Sequence, residues 1–364
     1  METCSSSRLI LVEGLPSTGK STTSGILLAQ LERNGLKAKW IHEVARPHPV
    51  LFFYEAGLSE AEYAHFVRLH PHVKDYLERI RIKRKTTVGI DLLEVEWNGL
   101  EEIGQKEYEE LSKYNVWNFS LERYIELALE KWQHFADIQA RRPDEIILLD
   151  SSIFQFQIYS FLLANATFTQ IRHFLKAVFQ RIEALQPTLL YLYRDNVEDT
   201  IGFLEKVRGS AFLHSIWLRD RHRPYYQTRP AGAEGYKDFL RSWAMKLFEW
   251  TPFPKKAIDI TDGDWKGYTD EMLTFFNLDD VESPEATFPN GTYRNDKLQQ
   301  QLLVRDNILL TPHGAHKKLL PKSEHEFYIS DIPVTLGWTG DSIIIGGEPI
   351  CERWTTWGTV FDKI

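Results

Sequence analysis

Short apolar runs alternate with amphipathic segments through the first three quarters of the chain. Five runs have the length and the flanking turn residues of buried parallel strands: residues 8–14, 36–43, 144–150, 187–194 and 255–261. Apolar positions recur with a helical period in residues 21–35, 121–140, 167–185, 197–209 and 235–250. Strands that alternate with helices predict an α/β fold with a five-stranded parallel sheet. In such a sheet the carboxyl ends of the strands meet at one edge.

Two regions depart from this pattern. Residues 51–145 are mostly helical in periodicity and form an insert, in which only Thr86–Trp97 has the composition of a hairpin or an added strand. Beyond a linker at 278–288, which is rich in acidic residues, Pro and Gly, the helical period gives way to short alternating runs. We therefore predict an N-terminal unit at 1–277 and a small antiparallel β domain at 289–364.

Composition and charge narrow the class of protein. With 364 residues, of which 43% are hydrophobic and 13% aromatic, the chain can bury the cores of two domains. Its formal net charge of −8 argues against a general nucleic-acid or membrane-surface binder. The cysteines, Cys4 and Cys351, form no metal-binding or disulfide pattern, and no stretch is apolar enough for a signal peptide or a bilayer span. We expect a soluble, cytoplasmic protein.

The segment EGLPSTGKST joins the first predicted strand to the first predicted helix. Gly14 to Ser21 fits G-x-x-x-x-G-K-[ST] at every fixed position. The glycines let successive backbone N–H groups turn toward an anion at a helix N-terminus. In this motif Lys20 reaches the terminal phosphates and the Ser21 hydroxyl ligates Mg²⁺, so ATP and Mg²⁺ are the predicted ligands. The predicted nucleotide-binding residues of this segment are Gly14, Ser17, Thr18, Gly19, Lys20, Ser21 and Thr22.

An apolar strand followed by EGxxxxGKST resembles the thymidylate kinase and deoxynucleoside kinase group of P-loop kinases, which have the nucleoside monophosphate kinase fold. Three further segments are similar to this group in the same order: HEVARPHPV after the second strand, LLDSS at the end of the third, and QPTLLYLYRDNVEDTIGFLEKVRG from the fourth onward. The resemblance covers roughly residues 8–277. It implies a P-loop NTPase three-layer sandwich, ATP as the phosphoryl donor, Mg²⁺ as cofactor and an acceptor site in the helical insert.

Two strand-end carboxylates are candidates for acceptor activation. Carried over from the resemblance, Glu43 is the general base or substrate-orienting carboxylate, and Asp150 is a Mg²⁺ ligand or a base-like carboxylate. Phosphoryl transfer to a hydroxyl needs a group that accepts its proton and aims its lone pair. Structural alternatives stay open: Glu43 as a helix cap or a partner of Arg46, and Asp150 as the N-cap of the following helix.

The sequence departs from these families at Ser151, since they have Asp-Arg where this chain has Asp150-Ser151-Ser152. In those families the arginine lies by the reactive end of the substrate. Its absence puts a nucleoside or nucleotide acceptor in doubt and fits an acceptor without a phosphate at that position.

An arginine-rich segment, residues 208–232, is similar to the lid of these kinases. It holds five arginines, no lysine and one acidic residue in a chain that is acidic overall. Arginines over a transferring phosphoryl group stabilise its developing charge. We predict catalytic roles for Arg219 and Arg223, which share a face if the segment is helical, and a nucleotide-binding role for Arg208. The alternatives are a basic helix that pairs with the acidic helix at 101–110 and a partner-docking surface.

Other candidate features are weaker. A flat aromatic acceptor would suit the aromatic side chains in or beside the insert, although most aromatics in such numbers belong to the core: Trp40, Phe52, Phe53, Tyr54, Trp97 and Trp117. DGDW (262–265) follows the fifth strand, where these kinases often enclose adenine. No transition-metal site is predicted, since no metal-site spacing fits His42, His48, His70 and His72. The β domain is similar to small lipocalin-like modules, and substrate capture, oligomerisation and stabilisation stay open as its role.

The first functional hypothesis is a phosphotransferase: a P-loop kinase that transfers the γ-phosphoryl group of ATP to a hydroxyl of a nucleoside-like molecule, another small metabolite or an antibiotic. The second is an ATP-binding or ATPase switch whose β domain contacts a protein partner. A 5′-hydroxyl kinase for nucleic acid is a narrower third option, against which the net charge argues. The predicted partner is a small-molecule acceptor, no membrane association is expected, and a homodimer is left open.

Overall fold

A parallel sheet of five strands forms the centre of the N-terminal part of the computed structural model, which describes residues 7–242 and 246–364. The strands of this part are β1 (Leu9–Gly14), β2 (Lys37–Ile41), β3 (Glu55–Ser59), β4 (Ile82–Lys83), β5 (Thr87–Asp91), β6 (Glu145–Asp150), β7 (Pro187–Tyr193) and β8 (Lys255–Asp259). The central sheet has the order β2-β6-β1-β7-β8, and every neighbouring pair is parallel. The predicted α/β fold and five-stranded parallel sheet are confirmed.

Some helices of the N-terminal part cover both faces of this sheet, and the others pack in the insert or beside the arginine-rich segment. The helices are α1 (Lys20–Arg33), α2 (Glu60–Leu69), α3 (Lys74–Ile80), α4 (Leu92–Glu94), α5 (Leu100–Ile103), α6 (Gln105–Ser112), α7 (Leu121–Ala140), α8 (Phe156–Leu163), α9 (Phe168–Ile182), α10 (Val197–Arg208), α11 (Ser210–Asp220), α12 (Ala233–Arg241), α13 (Lys246–Glu249) and α14 (Trp265–Phe276). In β1, Leu9 packs in one core with Trp132 of α7, and Ile10 packs in another with Leu27 of α1. Because successive side chains of a strand point to opposite faces, β1 is buried between two helical layers.

The insert at 51–145 holds a second sheet as well as helices. Strands β3, β5 and β4 form it, in that order and antiparallel. The predicted strand at 86–97 is confirmed for β5 but wrong beyond it. Its second half is helical because the Asp91 side chain accepts the N–H groups of Leu93 and Glu94, at 3.0 and 3.2 Å, and so begins a helix. Strand β3 was not predicted.

A closed barrel of eight antiparallel strands forms the C-terminal part, which confirms the predicted antiparallel β domain. Its strands are β9 (Gly291–Asn295), β10 (Gln300–Arg305), β11 (Ile308–Leu310), β12 (His316–Pro321), β13 (Glu326–Ile329), β14 (Val334–Trp338), β15 (Ser342–Gly347) and β16 (Val360–Lys363). Large side chains such as Tyr293, Phe327, Trp354 and Phe361 are fully buried in one hydrophobic core within this part. The interior is thus filled by side chains, as in other small barrels.

The barrel contacts α1 and the chain that follows β2. The Thr22 hydroxyl donates to Asp331 Oδ1 at 2.6 Å. Ala45 and Ile350 form an antiparallel β-bridge, and Cys351 N donates to the Val44 carbonyl at 3.0 Å. The barrel is therefore joined to the N-terminal part next to the predicted phosphate loop and next to Glu43.

Two predictions involve residues outside the described ranges. The predicted helix at 235–250 corresponds to α12 and α13, and its residues 243–245 are outside the described residues, as is Cys4. Cys351 has a free thiol. None of the helices in the described ranges combines the length and the apolar character that a bilayer span requires.

Candidate active site

The loop between β1 and α1 is shaped to hold an anion. Ser17 and Gly19 have left-handed backbone conformations, with φ of 64° and 81°. The Thr18 hydroxyl and Lys20 Nζ donate to the Leu15 carbonyl at 2.9 and 2.8 Å. Within the described residues no side chain caps the N-terminus of α1, so its first N–H groups can bind an anion. This is a backbone shape that suits a phosphate group.

Gly19 lies against the ring of Trp265, and this contact gives a test of the loop geometry. A Cβ at Gly19 would lie 2.2 Å from the Trp265 ring, whereas nothing lies within 4 Å of that position at Gly35, which has a similar φ of 77°. We expect Gly19→Ala to lower the free energy of unfolding more than the control Gly35→Ala. Backbone strain costs about 1–2 kcal/mol in both variants, but only Gly19→Ala adds a clash.

Urea unfolding measures both variants of this pair. In a Trp265→Ala background, the further loss that Gly19→Ala causes should be close to the loss of the Gly35→Ala control in wild type. Equal losses in the two single variants would show that the Trp265 ring does not constrain the loop.

Asp150 lies at the centre of the strand-end site, the group of side chains at the carboxyl ends of β2 and β6 and at the start of α1. Its carboxylate is fully buried and accepts from Glu43 N at 2.7 Å, from Trp40 Nε1 at 3.2 Å and from the Ser21 hydroxyl at 3.5 Å. Burial raises the pKa of the Asp150 carboxyl above its ordinary value. The structure thus brings together the two predicted Mg²⁺ ligands, Ser21 and Asp150.

His42 lies beside the same pair, although the sequence analysis assigned it no role. Its Nε2 is 3.1 Å from the Ser21 hydroxyl and 4.0 Å from Asp150 Oδ2. Its Nδ1 accepts the N–H of Val44 at 3.3 Å, so in the neutral ring the proton is on Nε2 and faces Ser21 and Asp150. The position of His42 near the carboxyl end of a predicted strand is the signal that could have identified it.

Glu43 faces the chain that follows β6. Its Oε2 accepts from Gln155 Nε2 at 2.8 Å, and the side chain is partly exposed. The alternative partner Arg46 is engaged elsewhere, with Asp91 at 2.7 Å and Glu94 at 2.5 Å. Glu43 and Arg46 are therefore not paired with each other in the structure.

Glu13 is a buried residue of the site that the sequence analysis missed. Its carboxylate accepts the N–H groups of Ile153, Phe154 and Gln155 at 2.6, 3.2 and 3.4 Å. Glu13 thus holds the turn before α8, the place where Asp150 was the alternative N-cap. The signal in the sequence is an acidic residue at the end of an apolar strand, directly before the first glycine of the motif.

The buried Glu13 carboxyl should make stability depend on pH. Burial raises its pKa from the ordinary 4.5 to about 7. Between these values the folded state keeps a proton that the unfolded state has released, so this contribution to stability is present below pH 4.5 and is lost as the pH rises to about 7. We expect the free energy of unfolding of wild type, relative to Glu13→Gln, to fall across this range.

Urea unfolding at a series of pH values measures this difference. The matched control is Glu122→Gln, which changes an exposed glutamate on α7. A wild-type minus Glu13→Gln difference that does not vary with pH would contradict a proton held at Glu13.

Several donors at this edge of the sheet fit a bound nucleotide. Lys20 is buried, and burial lowers the pKa of its ammonium group, although the carboxylates of Glu43, Asp150 and Glu13 oppose this shift. The hydroxyls of Ser151 and Ser152 are buried and have no hydrogen-bond partner among the described residues. Buried donors without partners are costly unless a ligand or water satisfies them. The residues present therefore fit ATP phosphates and a Mg²⁺ ion.

The predicted lid arginines lie over an aromatic ring. Arg219 and Arg223 have their guanidinium carbons 4.9 and 5.3 Å from the centre of the Trp117 ring. They share this partner although α11 ends at Asp220, so the expectation of one continuous helical face is wrong. Arg208 lies at the exposed end of α10 over Phe212.

The structure also gives the contacts of Arg194, Thr22 and the acidic helix region. Arg194, the residue directly after β7, donates from Nη1 to the Ser17 carbonyl at 3.4 Å and so contacts the loop. Thr22 faces the barrel through Asp331 instead. The acidic helix region pairs with another partner, since Glu102 binds Arg79 at 2.8 Å.

An apolar cavity of about 420 Å³ lies between the insert, α8 and the arginine segment. Of the predicted aromatic residues, Phe52, Phe53, Tyr54 and Trp117 line it. Trp40 instead contacts Asp150, and Trp97 lies under the Arg46 guanidinium at 4.2 Å. Phe156, next in sequence to the Glu43 partner Gln155, forms part of the cavity wall. The chain at 155–156 therefore connects the cavity wall to the partner of Glu43.

The fold and this site define an α/β protein with charged residues gathered at the carboxyl edge of an open parallel sheet. The sequence matches no protein-family model and no curated protein. Within the described ranges, no group of three or more His, Cys, Asp or Glu side chains is arranged to hold a metal ion. A Mg²⁺ ion bound here would therefore need further ligands from a nucleotide or water, as is usual for this metal.

Proposed function

We propose that this protein is a P-loop kinase that transfers the γ-phosphoryl group of ATP to a hydroxyl of a small molecule. One observation supports this most. The loop of the G-x-x-x-x-G-K-[ST] motif, the Ser21–Asp150 pair and Glu43 lie at one sheet edge, next to a cavity of about 420 Å³. A donor site and an acceptor cavity that adjoin are what transfer requires, because the reacting groups must be held together.

Each residue of the edge has a role in this proposal. Lys20 and the N–H groups of α1 bind the phosphates, and Ser21 and Asp150 hold the metal. Mg²⁺ supplies charge neutralisation of the phosphate oxygens when it is bound. Glu43 accepts the proton of the acceptor hydroxyl as that oxygen bonds to the γ-phosphorus and the bond to the ADP oxygen breaks. Gln155 orients Glu43, and the Nε2–H of His42 fixes the Ser21 hydroxyl.

The test is a search for a phosphorylated product. The protein is incubated with ATP and Mg²⁺ against a panel of nucleosides, nucleotides, hydroxylated metabolites and antibiotics. Mass spectrometry then looks for a product heavier by one phosphoryl group. Such a product is the expected result. Steady hydrolysis of ATP with no phosphorylated product would overturn the kinase proposal.

The contacts of the barrel favour a second candidate, an ATP-dependent switch. The barrel is bonded to Thr22, which follows Ser21, and is paired with Ala45, close to Glu43. Occupancy of the nucleotide site could therefore alter how the barrel meets a protein partner. This candidate predicts slow hydrolysis that a partner changes. A cytoplasmic location stays a prediction from the sequence.

A further inference from the structure

The cavity next to the strand-end site has walls that suit a flat apolar body. Phe52 and Tyr124 meet edge to face with ring centres 5.7 Å apart, and both line the cavity with Phe119 and Trp117. Aromatic faces of this kind bind rings through dispersion and offset or edge contacts. A volume of about 420 Å³ is in the range of small-molecule sites.

Three polar side chains of the lining are hydrogen-bonded to the protein. The Asn115 Oδ1 accepts from Trp117 N at 3.0 Å, and the Ser120 hydroxyl accepts from Arg123 N at 3.4 Å. The Ser160 hydroxyl donates to the Phe156 carbonyl at 3.5 Å. To read the edge of a nucleobase, an amide must offer its oxygen and its N–H₂ together. Asn115, the amide side chain of this lining, already uses one of the two lone pairs of its oxygen on the Trp117 N–H.

The two guanidinium groups at the cavity differ in their charge balance. Arg219 donates to both oxygens of Asp220, at 2.8 and 2.6 Å, so its charge is paired. Arg223 donates to the Trp117 carbonyl, and its Nε is buried without a partner. Among the described residues, no carboxylate lies within ion-pair distance of Arg223. One cation therefore remains unbalanced beside an apolar wall, where a charge–charge interaction is stronger than in water.

We propose that the acceptor is a flat, largely apolar hydroxylated acid whose anionic group pairs with Arg223, and not a nucleoside. This inference rests on the proposed kinase function for its hydroxyl, but the recognition itself needs only the cavity. A guanidinium with free donors is suited to a carboxylate or phosphate oxygen. The acceptor hydroxyl would lie toward Phe156, which adjoins the Gln155–Glu43 pair.

Calorimetric titration of the full chain without nucleotide tests this recognition. The probes are a hydroxynaphthoate, its neutral carboxamide, which has the same shape, and thymidine. We expect the naphthoate to bind about 10- to 100-fold more tightly than the carboxamide, as a charged hydrogen bond predicts. Arg223→Gln should remove this preference, and Arg223→Lys should keep part of it. The matched control is Arg221→Gln, which changes an exposed arginine of the same segment and should keep all of it.

Three outcomes would overturn the inference: equal binding of the two naphthalene probes to wild type, an unchanged preference in Arg223→Gln, or tighter binding of thymidine than of both. The first comparison needs no variant, so it decides the matter even if Arg223→Gln does not fold. A separate ATP titration distinguishes this failure from that of the proposed function. If wild type does not bind ATP but still prefers the naphthoate to its carboxamide, the kinase proposal is rejected and the anion site beside Arg223 is retained.

Discussion

Replacing Lys20 by alanine is expected to lower the rate of phosphoryl transfer by about 10²- to 10³-fold, the usual cost of losing one positioned donor to developing charge. Lys20 Nζ lies on the Leu15 carbonyl at 2.8 Å, within the loop that the motif defines. Its positive charge also attracts the buried carboxylates of Glu13 and Asp150 and lowers their pKa values, against the effect of burial. Turnover with each accepted substrate, ATP affinity and thermal unfolding are measured together.

Two variants make the Lys20 result specific. Lys20→Met keeps most of the side-chain volume, so it separates loss of charge from loss of packing. Lys37→Ala removes a lysine that is 70% exposed and ion-paired with Glu145, and it should keep full activity. Unchanged transfer in a folded Lys20→Ala protein would reject the phosphate role of the loop.

Asp150→Asn is expected to raise the Mg²⁺ concentration needed for half-maximal activity by about 10- to 100-fold. Asparagine keeps an oxygen for Glu43 N but loses the negative charge that a hard cation prefers. Its amide N–H₂ can accept neither the Trp40 N–H nor the Ser21 hydroxyl proton, which Asp150 Oδ2 accepts in wild type. Activity is measured as a function of Mg²⁺ concentration, with unfolding measured in parallel.

Asp144→Asn is the matched control, since Asp144 is an exposed aspartate just before the start of β6. It should leave the Mg²⁺ dependence unchanged. Asp150→Asn could instead lower the free energy of unfolding and leave the Mg²⁺ concentration for half-maximal activity unchanged. Asp150 would then have a structural role, in which it joins β6 to β2 and α1 through hydrogen bonds. The Mg²⁺ role would in that case have to pass to other groups.

The strands of the central sheet could be predicted because each is encoded by its own residues. The run Leu9–Val12 is apolar at every position, as a strand buried on both faces must be. Strand β3 gave no such signal, because EAGLS contains residues with low β propensity. Its five pairs with β5 stabilise it, and a partner that is distant in sequence is invisible to a local pattern.

Some residues of the candidate site could be predicted from local sequence, and others could not. Lys20 and Ser21 were predicted because the motif fixes their spacing within one turn of chain. Glu13 and His42 were missed because their roles depend on their neighbours. Glu13 reaches the turn at 153–155 only because β1 lies beside β6, and His42 meets Asp150 only because β2 lies on the other side of β6.

The α/β pattern, the antiparallel β domain and the loop around Gly14, Gly19 and Lys20 could be predicted from the residues alone. These follow from short-range periodicity and from the backbone freedom of glycine, which act within a few residues. The position of the unpaired Arg223 charge over Trp117 and the contact of the barrel with Thr22 could not be predicted in this way. Burial and charge balance depend on residues that are distant in the chain, so they exist only once the fold brings those residues together.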